Sequence, residues 1–139
     1  MSLPSLEDLL EKVRQDEFIT AYLEAALWSS SSGEHENFDD FEFEDIHPKC
    51  LAQAIADCES FKAQAGDLIL DEDNYAGSRP SQTMLEQAGH DFWLTRNHHG
   101  VGFWEDGDWA DSVRDPLTKL AHSFREVNVT EEDGVLYIE

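Results

Sequence analysis

Apolar residues recur every three or four positions in three stretches of the N-terminal half, and this spacing predicts helices with one buried face. The first helix should begin after Ser5, because Ser5 followed three residues later by Asp8 is typical of a capping box. Asp16 suits the N-cap of a second helix, and Pro48 suits the first turn of a third that ends near Gly66. The expected buried positions are Leu6, Leu9, Leu10 and Val13 in the first helix, Phe18, Ile19, Tyr22, Leu23, Ala26, Leu27 and Trp28 in the second, and Leu51, Ala54, Ile55, Cys58, Phe61 and Ala65 in the third.

The segment 89–104 has a different pattern, which predicts a β-hairpin. Two runs rich in aromatic and β-branched residues flank a short polar stretch that ends in a glycine. A loop of two or four residues gives one register, which places Trp93 opposite Trp104 on the same face of the hairpin. Either the N-terminal helices cover this face, or it forms an exposed aromatic platform.

A short helix over 116–124 and a second hairpin around Asp133-Gly134 are predicted for the rest of the chain. The fold class expected is α+β, with N-terminal helices packed on one face of a small antiparallel sheet made of two β-hairpins with a helix between them. A chain of 139 residues suits one domain, which we place at 4–138 with a helical part at 4–88 and a hairpin-helix-hairpin part at 90–138. Residues 1–3 and 139 could be remnants of expression and are set aside.

Charge narrows the choice of partners. The chain has 31 Asp and Glu residues against 9 Lys and Arg, a formal net charge of -22. Such a surface repels nucleic-acid phosphates and anionic lipids, so we expect no direct binding to nucleic acid or membrane, and it attracts basic proteins. Solubility, or adaptation to high salt, would also explain the charge.

The two cysteines and the lack of a leader-like segment predict a cytoplasmic setting. Cys50 and Cys58 are eight residues apart in the third predicted helix, a separation of about 12 Å that is too long for a disulfide. Both are therefore expected to be free, buried thiols. The sequence also has no apolar run of the length that crosses a bilayer.

The segment 34–45 carries seven carboxylates and no Lys or Arg. It is either a solvated loop or, because three phenylalanines interrupt the acids, a segment that docks on a basic groove of a partner. The candidate partner-binding residues are Glu34, Glu36, Asp39, Asp40, Glu42, Glu44 and Asp45, and the predicted aromatic hairpin adds Trp93, Arg96, His99 and Trp104.

Catalytic and metal chemistry receive little support from the sequence. His35 with its neighbouring acids lacks the spacing of a calcium loop, and no metal site or cofactor is expected. His90 and Asp91 could form an acid-base pair, but successive residues of a strand point to opposite faces, so a structural role is expected instead. Arg96 would either pair with Glu105 or bind an anionic group of a partner. No catalytic residue is assigned.

The chain resembles a family of small acidic proteins encoded by bacteriophages and mobile elements, which also occur in bacterial genomes. The shared residues are Phe18, Ala21-Tyr22, Glu24-Ala25, Leu27-Trp28-Ser29, Asp57-Cys58, Phe61, the block Ala88-Gly89-His90-Asp91-Phe92-Trp93-Leu94-Thr95-Arg96-Asn97, His99-Gly100, Gly102-Phe103-Trp104 and Asp133-Gly134. This chain differs at His98, where a glycine is usual, and at Glu105-Asp106, where an acid and a base are common. The family has no established activity, so the resemblance implies a phage-associated context and no catalytic residues.

From the charge and the resemblance together we expect a non-enzymatic interaction module whose negative surface binds a basic host protein. In one form of this hypothesis the acidic surface mimics DNA. Two alternatives stay open. One is a metal-dependent hydrolase that uses His90, Asp91 and residues of the acidic loop, and the other is a small-ligand module at the Trp93 and Trp104 face. The sequence does not indicate an oligomeric state.

Overall fold

The computed structural model describes residues 5–30, 37–75, 82–99, 101–104 and 108–139. Five α-helices and one pair of strands account for most of these residues. The helices are α1 (Leu6–Gln15), α2 (Glu17–Ser29), α3 (Pro48–Ala65), α4 (Met84–Arg96) and α5 (Asp111–His122), and the strands are β1 (Val129–Glu132) and β2 (Val135–Ile138). Single 3-10 turns lie at Phe43–Asp45, Gly66–Leu68 and Glu72–Asn74.

The three predicted N-terminal helices are confirmed, together with the residues that begin and end them. Ser5 and Asp8 form the capping box of α1. The Asp16 carboxylate accepts hydrogen bonds from two backbone N–H groups at the start of α2, at 3.0 and 3.2 Å. Pro48 occupies the first turn of α3, and Gly66 ends that helix with a φ of 51°, a conformation that glycine adopts without strain.

The hairpin predicted at 89–104 is wrong, because residues 84–96 form α4. This helix begins at a capping box between Thr83 and Glu86. It is buried on nearly every side, polar residues such as Gln87, Asp91 and Thr95 included, so it lacks the exposed polar face of an amphipathic helix. Its aromatic content resembles that of a strand. Gly89 faces α2, where a Cβ atom would overlap the carbonyl oxygen of Phe18.

The predicted C-terminal helix and C-terminal hairpin are both present. Helix α5 covers most of the predicted segment but begins at Asp111, five residues before Pro116. Strands β1 and β2 pair antiparallel, with Val129 opposite Ile138, and Asp133 and Gly134 both have positive φ angles, as a type I′ turn requires. In the described part of the chain the sheet consists of this one hairpin, so the α+β class holds and the sheet of two hairpins does not.

Aromatic rings from α2, α3 and α4 form the centre of the core. The rings of Phe61 and Phe92 stack with centroids 4.2 Å apart, and Phe18 and Phe103 lie against the Phe61 ring at 5.8 and 5.7 Å. The two cysteines on α3 are free and buried, as expected. None of the described helices combines the length and the hydropathy needed to cross a bilayer.

Candidate functional site

Trp28, in the last turn of α2, is the most solvent-exposed aromatic side chain of the described residues. Its side chain is 56% exposed, although the helical pattern predicted that it would close the buried face. Trp28 follows Glu24 by four residues, a spacing that places the two side chains beside each other on a helix surface. Grooves lie on both sides of its indole ring, and we call them together the Trp28 groove.

The first half of the Trp28 groove has a volume of about 360 Å³ and lies between α2 and the acidic loop. Its lining combines apolar side chains with exposed carboxylates. The lining residues are Glu24, Leu27, Trp28, Asp39, Phe41, Glu42 and Phe43. The loop is held in place by Phe38, which is fully buried and donates its backbone N–H to the carbonyl of Leu27 at 2.9 Å.

The second half, of about 230 Å³, lies between α2 and the N-terminal part of α4. His90 lies against Trp28 there, with the two ring centroids 6.0 Å apart. Glu24 contributes to both halves of the groove, and both its partial burial and the nearby Glu86 raise its pKa. Neither half is lined by a Lys or Arg among the residues that the structure describes, although Glu24 and Glu86 also line a neighbouring cavity of about 580 Å³ together with Arg14 and Lys62.

The predicted acidic partner-binding residues divide into three groups. Asp39 and Glu42 line the Trp28 groove. Asp40 and Glu44 are exposed on the same loop but do not line the groove, and the carboxylate of Asp45 accepts the backbone N–H of Glu42 at 2.8 Å. Glu34 and Glu36 lie outside the described residues.

His90 and Asp91 are in contact, but the arrangement is structural. Asp91 is 4% exposed and accepts hydrogen bonds from the side chains of Gln87 at 3.0 Å and Trp109 at 2.8 Å. The His90 ring lies 3.3 Å from the same carboxylate. Asp91 therefore connects α4 to the segment that precedes α5, as the predicted structural role implies. Over the described ranges, no three His, Cys, Asp or Glu side chains are grouped as metal ligands.

Arg96, the last residue of α4, is 3% exposed and pairs with Asp57 of α3 at 2.8 Å. The predicted partner, Glu105, lies outside the described residues. Arg96 makes the Asp57 pair through Nη1, and this atom also donates to the Tyr22 hydroxyl at 2.9 Å. The Nε atom of Arg96 donates to the carbonyl of Arg125 at 2.7 Å. Arg96 thus joins α4 to α2, to α3 and to the segment before β1. Burial raises the pKa of Tyr22, so its phenol stays protonated.

The remaining predicted residues do not form the expected aromatic face. Trp93 is covered by α2, which agrees with the alternative in which the N-terminal helices cover this side chain. It packs edge-on against Tyr22 and donates to the Ser29 hydroxyl at 2.8 Å. Trp104 is 48% exposed and follows the turn after α4. Backbone N–H of His99 donates to the Leu94 carbonyl at 2.9 Å, and partial burial lowers the pKa of the His99 ring.

Comparisons of this chain with protein-family models, with curated proteins and with solved structures give no match.

Proposed function

We propose that this protein is a non-enzymatic interaction module that binds a basic segment of another protein in the Trp28 groove. One observation carries the proposal: an exposed tryptophan lies between two grooves that are lined by carboxylates and, among the described residues, by no Lys or Arg. A lysine or arginine side chain stacked on an indole gains about 0.5–2 kcal/mol, and neighbouring carboxylates add charge-assisted hydrogen bonds.

The electrostatics of the groove favour a cationic occupant over an apolar one. Glu24 and Glu86 repel each other in the free protein, and the raised pKa of Glu24 reports part of that repulsion. A bound ammonium or guanidinium group would relieve it. The net charge of -22 would also draw basic surfaces toward the protein and accelerate their association.

The apolar lining of the groove adds a requirement for shape. Leu27, Phe41 and Phe43 are less exposed than the carboxylates around them, so the preferred segment carries an apolar side chain beside its basic ones. Such a segment would bury apolar area while its charges meet Glu24, Asp39 and Glu42, the arrangement of an interface with an apolar centre and a polar rim.

Because the chain resembles phage-encoded acidic proteins, we also propose the kind of partner. It is a cytoplasmic host protein whose basic surface binds nucleic acid. In this version the acidic surface occupies the site that DNA phosphates would otherwise fill. The acids of the loop, Asp39, Asp40, Glu42 and Glu44, would supply part of that surface, since all four side chains are exposed.

The experiment is capture of host proteins on the immobilised chain at about 50 and 500 mM salt, a range over which exposed charges are progressively screened. We expect a DNA-binding protein to be retained at low salt, released at high salt, and displaced by duplex DNA. Beads carrying the Trp28→Ala variant should retain much less of it. Capture that survives high salt, or that does not depend on Trp28, would contradict the proposal.

A further inference from the structure

A second cavity lies next to the buried side chain of Arg96. Its volume is about 150 Å³, well below the roughly 300 Å³ at which pockets for drug-sized ligands begin. The polar part of its wall is formed by Tyr22, Cys50, Gln53, Asp57, Arg96 and Arg125. It shares no lining residue with the Trp28 groove, so the inference drawn from it is independent of the proposed function.

Arg96 and Tyr22 have more hydrogen-bond donors than the fold supplies acceptors for them. The Arg96 guanidinium has five N–H bonds, and its acceptors, Asp57, Tyr22 and the Arg125 carbonyl, are all reached through Nη1 and Nε. Within the described part of the chain, Nη2 meets no acceptor. The Tyr22 hydroxyl accepts from Arg96, and its own O–H reaches no acceptor among the same residues.

The Asp57 carboxylate and the Arg125 carbonyl are already engaged. One oxygen of Asp57 accepts from Arg96 at 2.8 Å, and the other accepts from the side chain of Gln53 at 2.8 Å. The Arg125 carbonyl accepts from Arg96 Nε. Arg96 is 3% exposed and Tyr22 is fully buried, and the polar groups of such residues normally find partners, so their unused donors favour a ligand that brings oxygen acceptors.

The rest of the wall is apolar. Ala54, Val127 and Ile138 contribute side chains that are at least nine-tenths buried. The half-buried Phe124 completes this apolar part. A ligand that satisfies both parts of the wall has an oxyanion at one end and a short hydrocarbon at the other. The volume equals that of roughly five water molecules at about 30 Å³ each, which limits the ligand to a few non-hydrogen atoms.

We propose that the cavity beside Arg96 binds a small carboxylate with a short apolar tail, through Arg96 Nη2 and the Tyr22 hydroxyl. The protonated phenol and the guanidinium both donate to the carboxylate, and the tail lies against Ala54 and Val127. Arg96 keeps its pair with Asp57, so binding requires no rearrangement of the residues that hold α4 in place.

The test is a titration of the whole chain with butyrate. Two-dimensional NMR spectra, including the signal of the Arg96 Nε–H, monitor binding. The titration is run at about 150 mM salt, where charges are screened beyond roughly 8 Å and the net negative charge of the protein repels anions less. Butyramide and butylammonium have the same length and serve as neutral and cationic controls. We expect saturable binding of butyrate with a Kd on the order of 1 mM, weaker binding of butyramide, and none of butylammonium.

Two variants locate the site. Tyr22→Phe removes one donor and keeps the ring, so butyrate affinity should fall about tenfold. Ala54→Leu places a larger side chain in the cavity and should abolish binding, while Trp28→Ala should leave it unchanged. Circular dichroism verifies that each variant is folded, and if Ala54→Leu does not fold, Tyr22→Phe and the ligand series decide the result. Absence of saturation, equal binding of butyramide, or unchanged affinity in Tyr22→Phe would overturn the proposal.

Discussion

Gly89 of α4 lies directly against the backbone carbonyl of Phe18 in α2, and this contact sets how closely the two helices approach. A Cβ atom at position 89 would overlap the carbonyl oxygen, which belongs to the backbone and cannot rotate away. The two helices also supply Tyr22, Phe92 and Trp93, and the Tyr22 ring contacts both of the other rings at this interface.

The first prediction concerns this close approach. Gly89→Ala should destabilise the protein by about 2–3 kcal/mol, because α4 must move away from α2 and loosen a close-packed core. Alanine is otherwise a better helix former than glycine, so a local helix effect alone would have the opposite sign. Urea unfolding measures the difference, and an unchanged or increased stability would show that the helices do not meet at this glycine.

The N-terminal helices were predictable because each carries its own start signal and one polar face. Ser5, Asp16 and Pro48 act within a few residues of their own positions, so their effects can be seen in the local sequence. The C-terminal hairpin was predictable for the same reason, since Asp133-Gly134 defines its turn.

Helix α4 also carries a start signal, the capping box of Thr83 and Glu86, but the pattern that follows it resembles a strand. Its burial on almost all sides, polar residues such as Asp91 included, leaves no exposed polar face, which is the feature that the prediction depends on. The segments predicted to pair do lie together, but as a helix and a returning loop: the Phe103 N–H donates to the Thr95 hydroxyl at 3.0 Å. A Cβ atom at Gly102 would overlap the same hydroxyl, so this glycine permits the close return of the chain.

The candidate sites were only partly predictable. Asp39 and Glu42 were singled out from the charge of the loop, whereas Trp28 was assigned to the core. Its spacing of four residues from Glu24 is the signal that could have placed it on the outer face. The Arg96 pair had no such signal, because Asp57 is 39 residues away and only the packing of α3 against the rest of the fold brings it near.

The second prediction tests that buried pair. Asp57→Asn should cost about 3 kcal/mol, because the Arg96 charge, only 3% exposed, would lose its counter-charge. Glu59→Gln is the matched control on the same helix. It removes the Lys12 pair, whose side chains are 51% and 47% exposed, and should cost less than about 1 kcal/mol. Equal losses in urea unfolding would mean that the Arg96 pair is solvated like the surface pair.

A third prediction concerns the bond between Asp91 and Trp109. Trp109→Phe removes the indole N–H and leaves the nearly buried Asp91 carboxylate with fewer donors. The expected loss is about 1–3 kcal/mol, measured by thermal and urea unfolding. Trp104→Phe, at an exposed tryptophan, is the control and should change stability by less than about 0.5 kcal/mol. A similar, small effect of both changes would contradict a structural role for Asp91.

The fourth prediction separates stability from binding at the Trp28 groove. Because the folded protein raises the pKa of Glu24, ionisation of this carboxyl opposes folding: the contribution of Glu24 to stability is fully present below its ordinary pKa and is lost as the pH rises through the raised pKa. Glu24→Gln should therefore stabilise the protein at pH 7, by less than about 1 kcal/mol because the group is only partly buried. The difference should vanish at a pH low enough to protonate Glu24.

The same substitution should weaken the binding of a basic peptide, since the ionised carboxylate attracts the cation. Opposite effects on stability and affinity are typical of a binding site that retains unfavourable charge for its function. For the wild-type protein, affinity should increase as the pH rises through the Glu24 pKa, and this dependence should be weaker in Glu24→Gln. Calorimetric titrations at several pH values would contradict the role of Glu24 if the two proteins showed the same profile.

The most direct test of the central claim is the affinity of one synthetic peptide, with alternating basic and apolar residues, for the wild type, Trp28→Ala and Trp104→Ala. Trp104 is the matched control, because its side chain is 48% exposed and does not line the Trp28 groove. We predict that Trp28→Ala weakens binding about tenfold, as expected for loss of a stacked cation, and that Trp104→Ala leaves it unchanged. Equal affinities of all three proteins for the peptide would contradict the assignment of the Trp28 groove as the site that binds a basic partner.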